Sequence, residues 1–261
     1  MTVQNLDEQI SSIFKKFKIQ EIKCLFIAND LGKIGLRFGI SKLNKKELLE
    51  IIYSNLIKIN KDLTIVVPTA SLNMVNSGEI FDLQETPSYK MGSFSEFIRK
   101  KRFSKRSYHP FWSLTALGPL ASSIVDDVSD NAYDENSAFG KLFKLKNSFF
   151  LSIGNHPRFM LSIIHYFEYI NKVPYRFTKK FNTKCLIDGK ITAKNYKLYV
   201  LKKKFINKKR AFNKKIFENF EKNIIIQNSV LGNGKLYFFN LSEFYDVTQD
   251  LFKNDINCWW K

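Results

Sequence analysis

Cysteine is scarce in this chain. The three that occur in 261 residues, Cys24, Cys185 and Cys258, are scattered and form no CxxC or CxxH pair. An odd, dispersed set argues against a disulfide framework and offers no zinc-ligand spacing. Cys24 and Cys185 lie in apolar, strand-like runs with no neighbouring histidine or helix N-terminus to lower a thiol pKa, so neither is expected to act as a nucleophile. Long apolar runs are missing too: the longest candidates, such as residues 149–153, are strand-sized and too short to cross a bilayer. The first residues, with Asp7 and Glu8 ahead of Ile10, lack the basic-then-apolar pattern of a secretory signal. A cytoplasmic protein without membrane insertion is therefore expected. There is no repeat and no low-complexity linker. Hydrophobic residues at 44% and aromatics at 15% exclude a disordered chain.

Acidic residues are in deficit. Against 42 Lys+Arg stand 24 Asp+Glu, a formal net charge of +18. Such a balance points to anionic partners: nucleic acid, a membrane surface, or a small molecule carrying phosphates. No helix-turn-helix, RNP-type or zinc pattern supports nucleic acid, and the basic runs do not interleave with aromatics. Lys, Asn, Ile and Phe are all abundant, and a proteome-wide compositional bias would produce part of the charge without any partner.

Helix and strand patterns alternate along the chain. Apolar periodicity predicts a helix over 6–17, then a strand over 22–28 and a turn at Asn29-Asp30-Leu31-Gly32. Asn44 caps a helix over 45–59, and a buried-type strand over 63–67 stops at Pro68. A polar segment over 69–89 precedes a short helix over 93–99, where Ser93 and Glu96 are spaced as a capping box. A strand over 149–153 leads through Gly154-Asn155-His156-Pro157 into a helix over 158–170. Strands over 184–187 and 196–201 flank an Asp188-Gly189 hairpin turn. A basic helix over 207–223, a strand over 236–240 and a helix over 242–254 complete the chain. This order predicts an α/β protein in which a mixed sheet lies between helices, in one domain with a smaller C-terminal lobe from about 181.

All three histidines fall in two motifs. The first runs Arg106-Ser107-Tyr108-His109-Pro110-Phe111-Trp112-Ser113. The second is Gly154-Asn155-His156, followed by Ser162, His165 and Glu168 at three-residue spacing. On a helix that spacing makes one polar stripe of hydroxyl, imidazole and carboxylate. Imidazole titrates near neutrality, which suits a group that must take a proton at physiological pH. A satisfied buried network has the same pattern, and Glu168 could equally pair with Arg158, Arg176 or a lysine. His109 is either a pocket residue or a structural histidine at a strand entry. The Ser113 hydroxyl is open to a ligand or to local backbone, and His156 reads as a turn residue. The runs 99–106 and 202–210 are either phosphate-binding or a solvated lysine-rich face. Leu231-Gly232-Asn233-Gly234 lacks a P-loop lysine and fits a plain turn.

Taken in order, these motifs resemble the aminoglycoside 3-N-acetyltransferase family. Ile27-Ala28-Asn29-Asp30-Leu31-Gly32-Lys33-Ile34-Gly35 stands where the family carries a Val-His-Ser-Ser-Leu-like turn, and Val66-Val67-Pro68-Thr69 is similar to its Pro-Thr strand end. Asn136-Ser137-Ala138-Phe139-Gly140-Lys141-Leu142 resembles the Gly-Ser-Pro-Phe-Gly segment. The stripe of Ser162, His165 and Glu168 resembles a Thr-x-x-His-x-x-Glu helix. Phe81-Asp82, Thr86-Pro87-Ser88, Gly92, Glu96 and Arg99 match a spacing in members that occur with surface-sugar biosynthesis. The chain departs from the family at Ala28, Asn29, Asp30, Ala138 and Ser162.

The resemblance implies a three-layer α/β/α fold and acyl transfer from coenzyme A (acetyl-CoA) to the amine of a nucleotide-linked amino sugar, without a metal. The alternatives are an aminoglycoside acceptor, a nucleic-acid-binding protein or a non-catalytic scaffold. It implies His165 as general base supported by Glu168. Asp30, Lys33, Ser113, Ser137, Phe139 and Gly140 are expected along CoA, and Asp82, Glu96, His109 and Ser162 around the acceptor, in a monomer or homodimer.

Overall fold

Six consecutive buried residues make up β1 (Cys24–Asn29), which is what a strand covered on both faces requires. The computed structural model describes residues 3–34, 44–157, 162–206 and 214–260. β1 lies parallel to β2 (Thr64–Pro68) on one side and to β6 (Ser148–Ile153) on the other, with Cys24 opposite both Thr64 and Ser148. Antiparallel strands extend this trio. β5 (Leu114–Leu117) and the two-residue β4 (Lys105–Arg106) follow β2, while β10 (Gly234–Asn240) and β9 (Gln227–Leu231) follow β6. The result is a seven-stranded mixed sheet in the order β4-β5-β2-β1-β6-β10-β9. A second sheet has three strands: β3 (Ile80–Asp82) parallel to β7 (Arg176–Ile187), and β8 (Lys190–Leu201) antiparallel to β7.

Period-2 alternation sends successive side chains to opposite faces. Leu25 and Ile27, with Ile65, Val67, Leu151 and Ile153, join one apolar cluster. It is completed by α1 (Val3–Lys16), α2 (Lys45–Ile59) and α3 (Ser93–Arg99) through Leu6, Ile10, Leu48, Ile52, Phe94 and Ile98. Cys24, Phe26, Ala28 and Phe150 face the other way. There they meet α4 (Ala121–Val125), α5 (Ala138–Lys144), α6 (Ile164–Ile170), α7 (Lys214–Asn223) and α8 (Leu241–Asn254), together with Phe81, Phe181 and Tyr196 of the small sheet. Each fully buried Leu or Phe contributes roughly 1.5–3 kcal/mol by leaving water. The expected three-layer α/β/α arrangement with a mixed central sheet is what forms.

Several local expectations need correction. Asn44 does form a capping box with Glu47. Ser93 does not cap α3: Gly92 holds that position, and Glu96 is drawn away to Ser88 and Arg99. β7 and β8 run for 12 residues each, far longer than expected, because their solvent-facing Lys, Thr and Asn masked the strand pattern. The turn between them falls at Asp188 and Gly189, both at positive φ (48° and 75°), as a tight two-residue hairpin demands. β9 had no counterpart in the sequence reading. The residues after 181 divide between the two sheets, β7–β8 in the small one and β9–β10 in the large one. Of the basic helix expected over 207–223, Lys214–Asn223 is helical and 207–213 lies outside the described residues. Gly35 and Arg158 lie outside them as well.

Candidate active site

The carboxyl ends of parallel strands are where open α/β sheets gather their functional groups, because loops fan apart there. Here β1, β2 and β6 deliver Asn29-Asp30, Thr69 and Gly154-Asn155 to one edge. The turns abut closely. A Cβ on Gly154, at φ +94°, would stand 2.1 Å from the Asp30 carbonyl oxygen. Asn155 Nδ2 donates to Asp30 Oδ2 at 2.9 Å.

Beyond this edge, α6 presents His165 and Glu168, three residues apart and so on the same face of the helix. Ser162 sits in the turn before α6, where its carbonyl accepts from the His165 backbone N–H at 3.4 Å. His165 Nδ1 lies 2.5 Å from Glu168 Oε2. A carboxylate only accepts, so the ring proton is on Nδ1 and the lone pair on Nε2. The imidazole side chain is 20% exposed, whereas the Glu168 side chain is 1% exposed. Trp112 and Tyr133 flank the imidazole, each with its ring centroid 6.0 Å away. Arg176, at the start of β7, brings Nε to 2.8 Å from the same Glu168 oxygen, with its N–H off the line of a good hydrogen bond. Burial pushes the Glu168 carboxyl up, but His165 and Arg176 outweigh it and hold the group below its usual range. Glu168 is therefore the anion at the centre of a buried cluster, hydrogen-bonded to its helix partner and ion-paired with an arginine at once.

The other expected site residues are placed as follows. His109 is buried, packs edge-on to Phe111 and Tyr196, and accepts at Nδ1 from the Trp112 backbone N–H at 3.1 Å. Its Nε2 is buried with no hydrogen bond of good geometry among the described residues, and burial, opposed by backbone groups of Lys197 and Asp130, lowers its pKa to about 4. That is the structural alternative for His109, not a wall of an open pocket. The Ser113 hydroxyl donates to the Thr69 carbonyl at 2.9 Å and accepts from Arg106 Nε at 2.9 Å. Arg106 also donates to the carbonyls of Thr86 and Thr69 and to Ser71 Oγ, tying the 69–89 segment down.

Ser137 is the N-cap of α5, accepting from Gly140 N at 3.1 Å. Phe139 is a core residue, and a Cβ on Gly140 would meet the Asp134 carbonyl oxygen at 2.4 Å. Among the residues expected along CoA, Lys33 is exposed and Asp30 half-buried. Asp82 accepts from the backbone N–H groups of Gln84 and Glu85. Glu96 accepts from Ser88 and from Arg99 at 2.9 and 2.7 Å. Burial opposes these bonds, yet they bring Glu96 to about 2. His156 pairs with Glu221 and packs on Tyr237.

The sequence named His165 and Glu168, and it raised Arg176 only as a competing partner for Glu168. Glu168 contacts both residues in the fold. Tyr133 went unnoticed, because no spacing in the chain links the 126–137 segment to a helix thirty residues on.

The model of the aminoglycoside 3-N-acetyltransferase family matches residues 54–253. Among solved structures, the YokD protein from Bacillus subtilis has a TM-score of 0.74 at 20% identity, covering 97% of this chain and 94% of that one. AAC-IIIb in a binary complex with CoASH has a TM-score of 0.77 at 16% identity, covering 95% and 96%. AAC-VIa bound to sisomicin has a TM-score of 0.77 at 16% identity, covering 95% and 97%. No curated protein sequence matches the chain. The family model spans well over half of the residues, and the chain belongs to the aminoglycoside 3-N-acetyltransferase family of N-acyltransferases.

Proposed function

We propose that this protein transfers an acetyl group from coenzyme A to the amine of a nucleotide-linked amino sugar destined for surface polysaccharide, with His165 as general base. The observation that carries the reading is the 2.5 Å bond from a partly exposed imidazole to a buried carboxylate. An alkyl amine is mostly protonated at neutral pH, so it first gives its ammonium proton to solvent, and the neutral amine attacks the thioester carbonyl. His165 Nε2 takes one of the remaining N–H protons as the C–N bond forms, and Glu168 stabilises the imidazolium. Collapse of the tetrahedral adduct breaks the C–S bond, and the proton passes from His165 to the departing thiolate, leaving an amide and CoASH. Base catalysis of this kind is worth about 10²–10⁴-fold.

CoASH bound to AAC-IIIb, which shares the fold, supports the choice of donor. The hydroxyls of Ser113 and Ser137 are already engaged within the fold, so side-chain contact with the donor falls to exposed groups such as Lys33. The +18 charge favours a diphosphate-bearing acceptor and disfavours a polycation at long range. We read that charge as serving an anionic substrate of an enzyme, not a nucleic acid.

A second reading, an aminoglycoside acceptor, is favoured by AAC-VIa bound to sisomicin. Release of CoA thiol, followed with nucleotide-linked amino sugars and with aminoglycosides in parallel, separates the two. Turnover confined to aminoglycosides refutes the sugar-nucleotide acceptor.

A further inference from the structure

We infer that Arg176 is a positioning residue for the transfer: by sharing Glu168 Oε2 with the imidazole, its guanidinium keeps His165 unprotonated at neutral pH. The inference rests on His165 acting as the base. His165 Nδ1 at 2.5 Å and Arg176 Nε at 2.8 Å approach the same oxygen, so the two nitrogens lie within about 5 Å of each other. Among the described residues Glu168 Oε1 has no hydrogen bond of good geometry, although the Tyr175 hydroxyl approaches the carboxylate, so both cationic contacts fall on Oε2. Arg176 is held from behind, donating through Nη1 to the Tyr199 carbonyl at 2.9 Å, and its side chain is 7% exposed.

A carboxylate on Nδ1 alone stabilises imidazolium and raises the pH at which it forms. That would spoil a base, which must be neutral before the amine arrives. A fixed cation on the same oxygen opposes the second cation. The remaining titratable groups facing the carboxylate are Tyr133 from the 126–137 segment, Tyr175 ahead of β7 and Tyr199 on β8. Burial raises all three phenols, so they stay uncharged. Among the described residues, Arg176 and His165 are thus the cationic groups on Glu168. At an effective dielectric of about 20, a like charge some 5 Å away shifts an imidazole by roughly 2.4 pH units, and screening at the partly exposed ring reduces this to roughly 1–2. The direction does not depend on where the shared proton resides. Without the guanidinium, the coupled His165–Glu168 pair takes up its proton at higher pH.

Arg176→Gln should therefore move the acidic limb of the kcat/KM profile upward by roughly 1–2 pH units, with Arg176→Lys restoring it to within about half a unit. A purely structural arginine would change yield and melting temperature and leave the limb in place. With three histidines in the chain, imidazole NMR titration reads His165 directly. If Arg176→Gln does not fold, Glu168→Gln and Glu168→Gln/Arg176→Gln form the test pair, since the double variant buries no unpaired charge. Removing the guanidinium should again raise the His165 midpoint. An unmoved midpoint or limb overturns the role of Arg176 while leaving His165 as base. Full activity in His165→Ala would instead remove the reading beneath it.

Discussion

Glu168→Gln removes a charge and almost no volume, and its effect divides cleanly between folding and chemistry. In the native fold one carboxylate oxygen meets both His165 and Arg176, and the Glu168 and Arg176 side chains are 1% and 7% exposed. The substitution leaves the guanidinium in the interior without its anion. Breaking a buried pair from one side costs about 3–5 kcal/mol, and the retained amide oxygen favours the lower figure. In a chain of this length each kcal/mol moves the melting temperature by about 2 °C, so a drop of roughly 6 °C is expected. The chemical loss is separate. An amide neither holds the Nδ1 proton as firmly nor stabilises imidazolium, and kcat should fall about 10²-fold or more. Circular dichroism melting and thiol release on the same preparation measure the two. A variant that melts with the wild type and turns over within about threefold of it would refute the reasoning.

Acid should act in two steps. His109 is buried with its pKa lowered to about 4. As pH falls through the ordinary imidazole value near 6.5, the unfolded chain binds a proton that the folded chain refuses. Stability is then lost down to about pH 4, on the order of 3 kcal/mol. Glu96, at about 2, and Glu168, also below its usual range, contribute stability above the ordinary carboxylate value of about 4.3; it fades below that, for Glu96 down to about pH 2. Urea unfolding at a series of pH values checks both, and His109→Phe should flatten the upper step alone. Gly140→Ala would place a Cβ 2.4 and 2.5 Å from the carbonyl oxygens of Asp134 and Glu135, for a cost of about 1–3 kcal/mol. An unchanged melting temperature in that variant would show that the α5 entrance yields more easily than the geometry implies.

The helices and central strands were legible because their signals are local. The Asn44 cap, the apolar stripe of α2 and the unbroken buried run of β1 each identify an element without reference to the rest of the chain. The long β7–β8 hairpin was legible only at its turn and parts of its strands, since one face of that small sheet is polar and exposed. Within the site, His165 and Glu168 could be read as a pair because helical spacing joins them. Arg176 reaches Glu168 through tertiary packing of a second sheet, which no periodicity encodes. Ser113, Ser137 and Glu96 show the converse. Their residue types suit a ligand, but the nearest unsatisfied partners were inside the fold and took them first.

The proposed transfer turns on the imidazole of His165, and one comparison tests that role most directly. Steady-state CoA release from acetyl-CoA and an amine acceptor is measured at neutral pH for the wild type and for His165→Ala, each with its melting curve. The expected result is a kcat lower by about 10²–10⁴-fold with a cooperative melt lowered by only a few degrees (about 2 °C per kcal/mol), since Arg176 still pairs with Glu168. Equal turnover by the two proteins would contradict it.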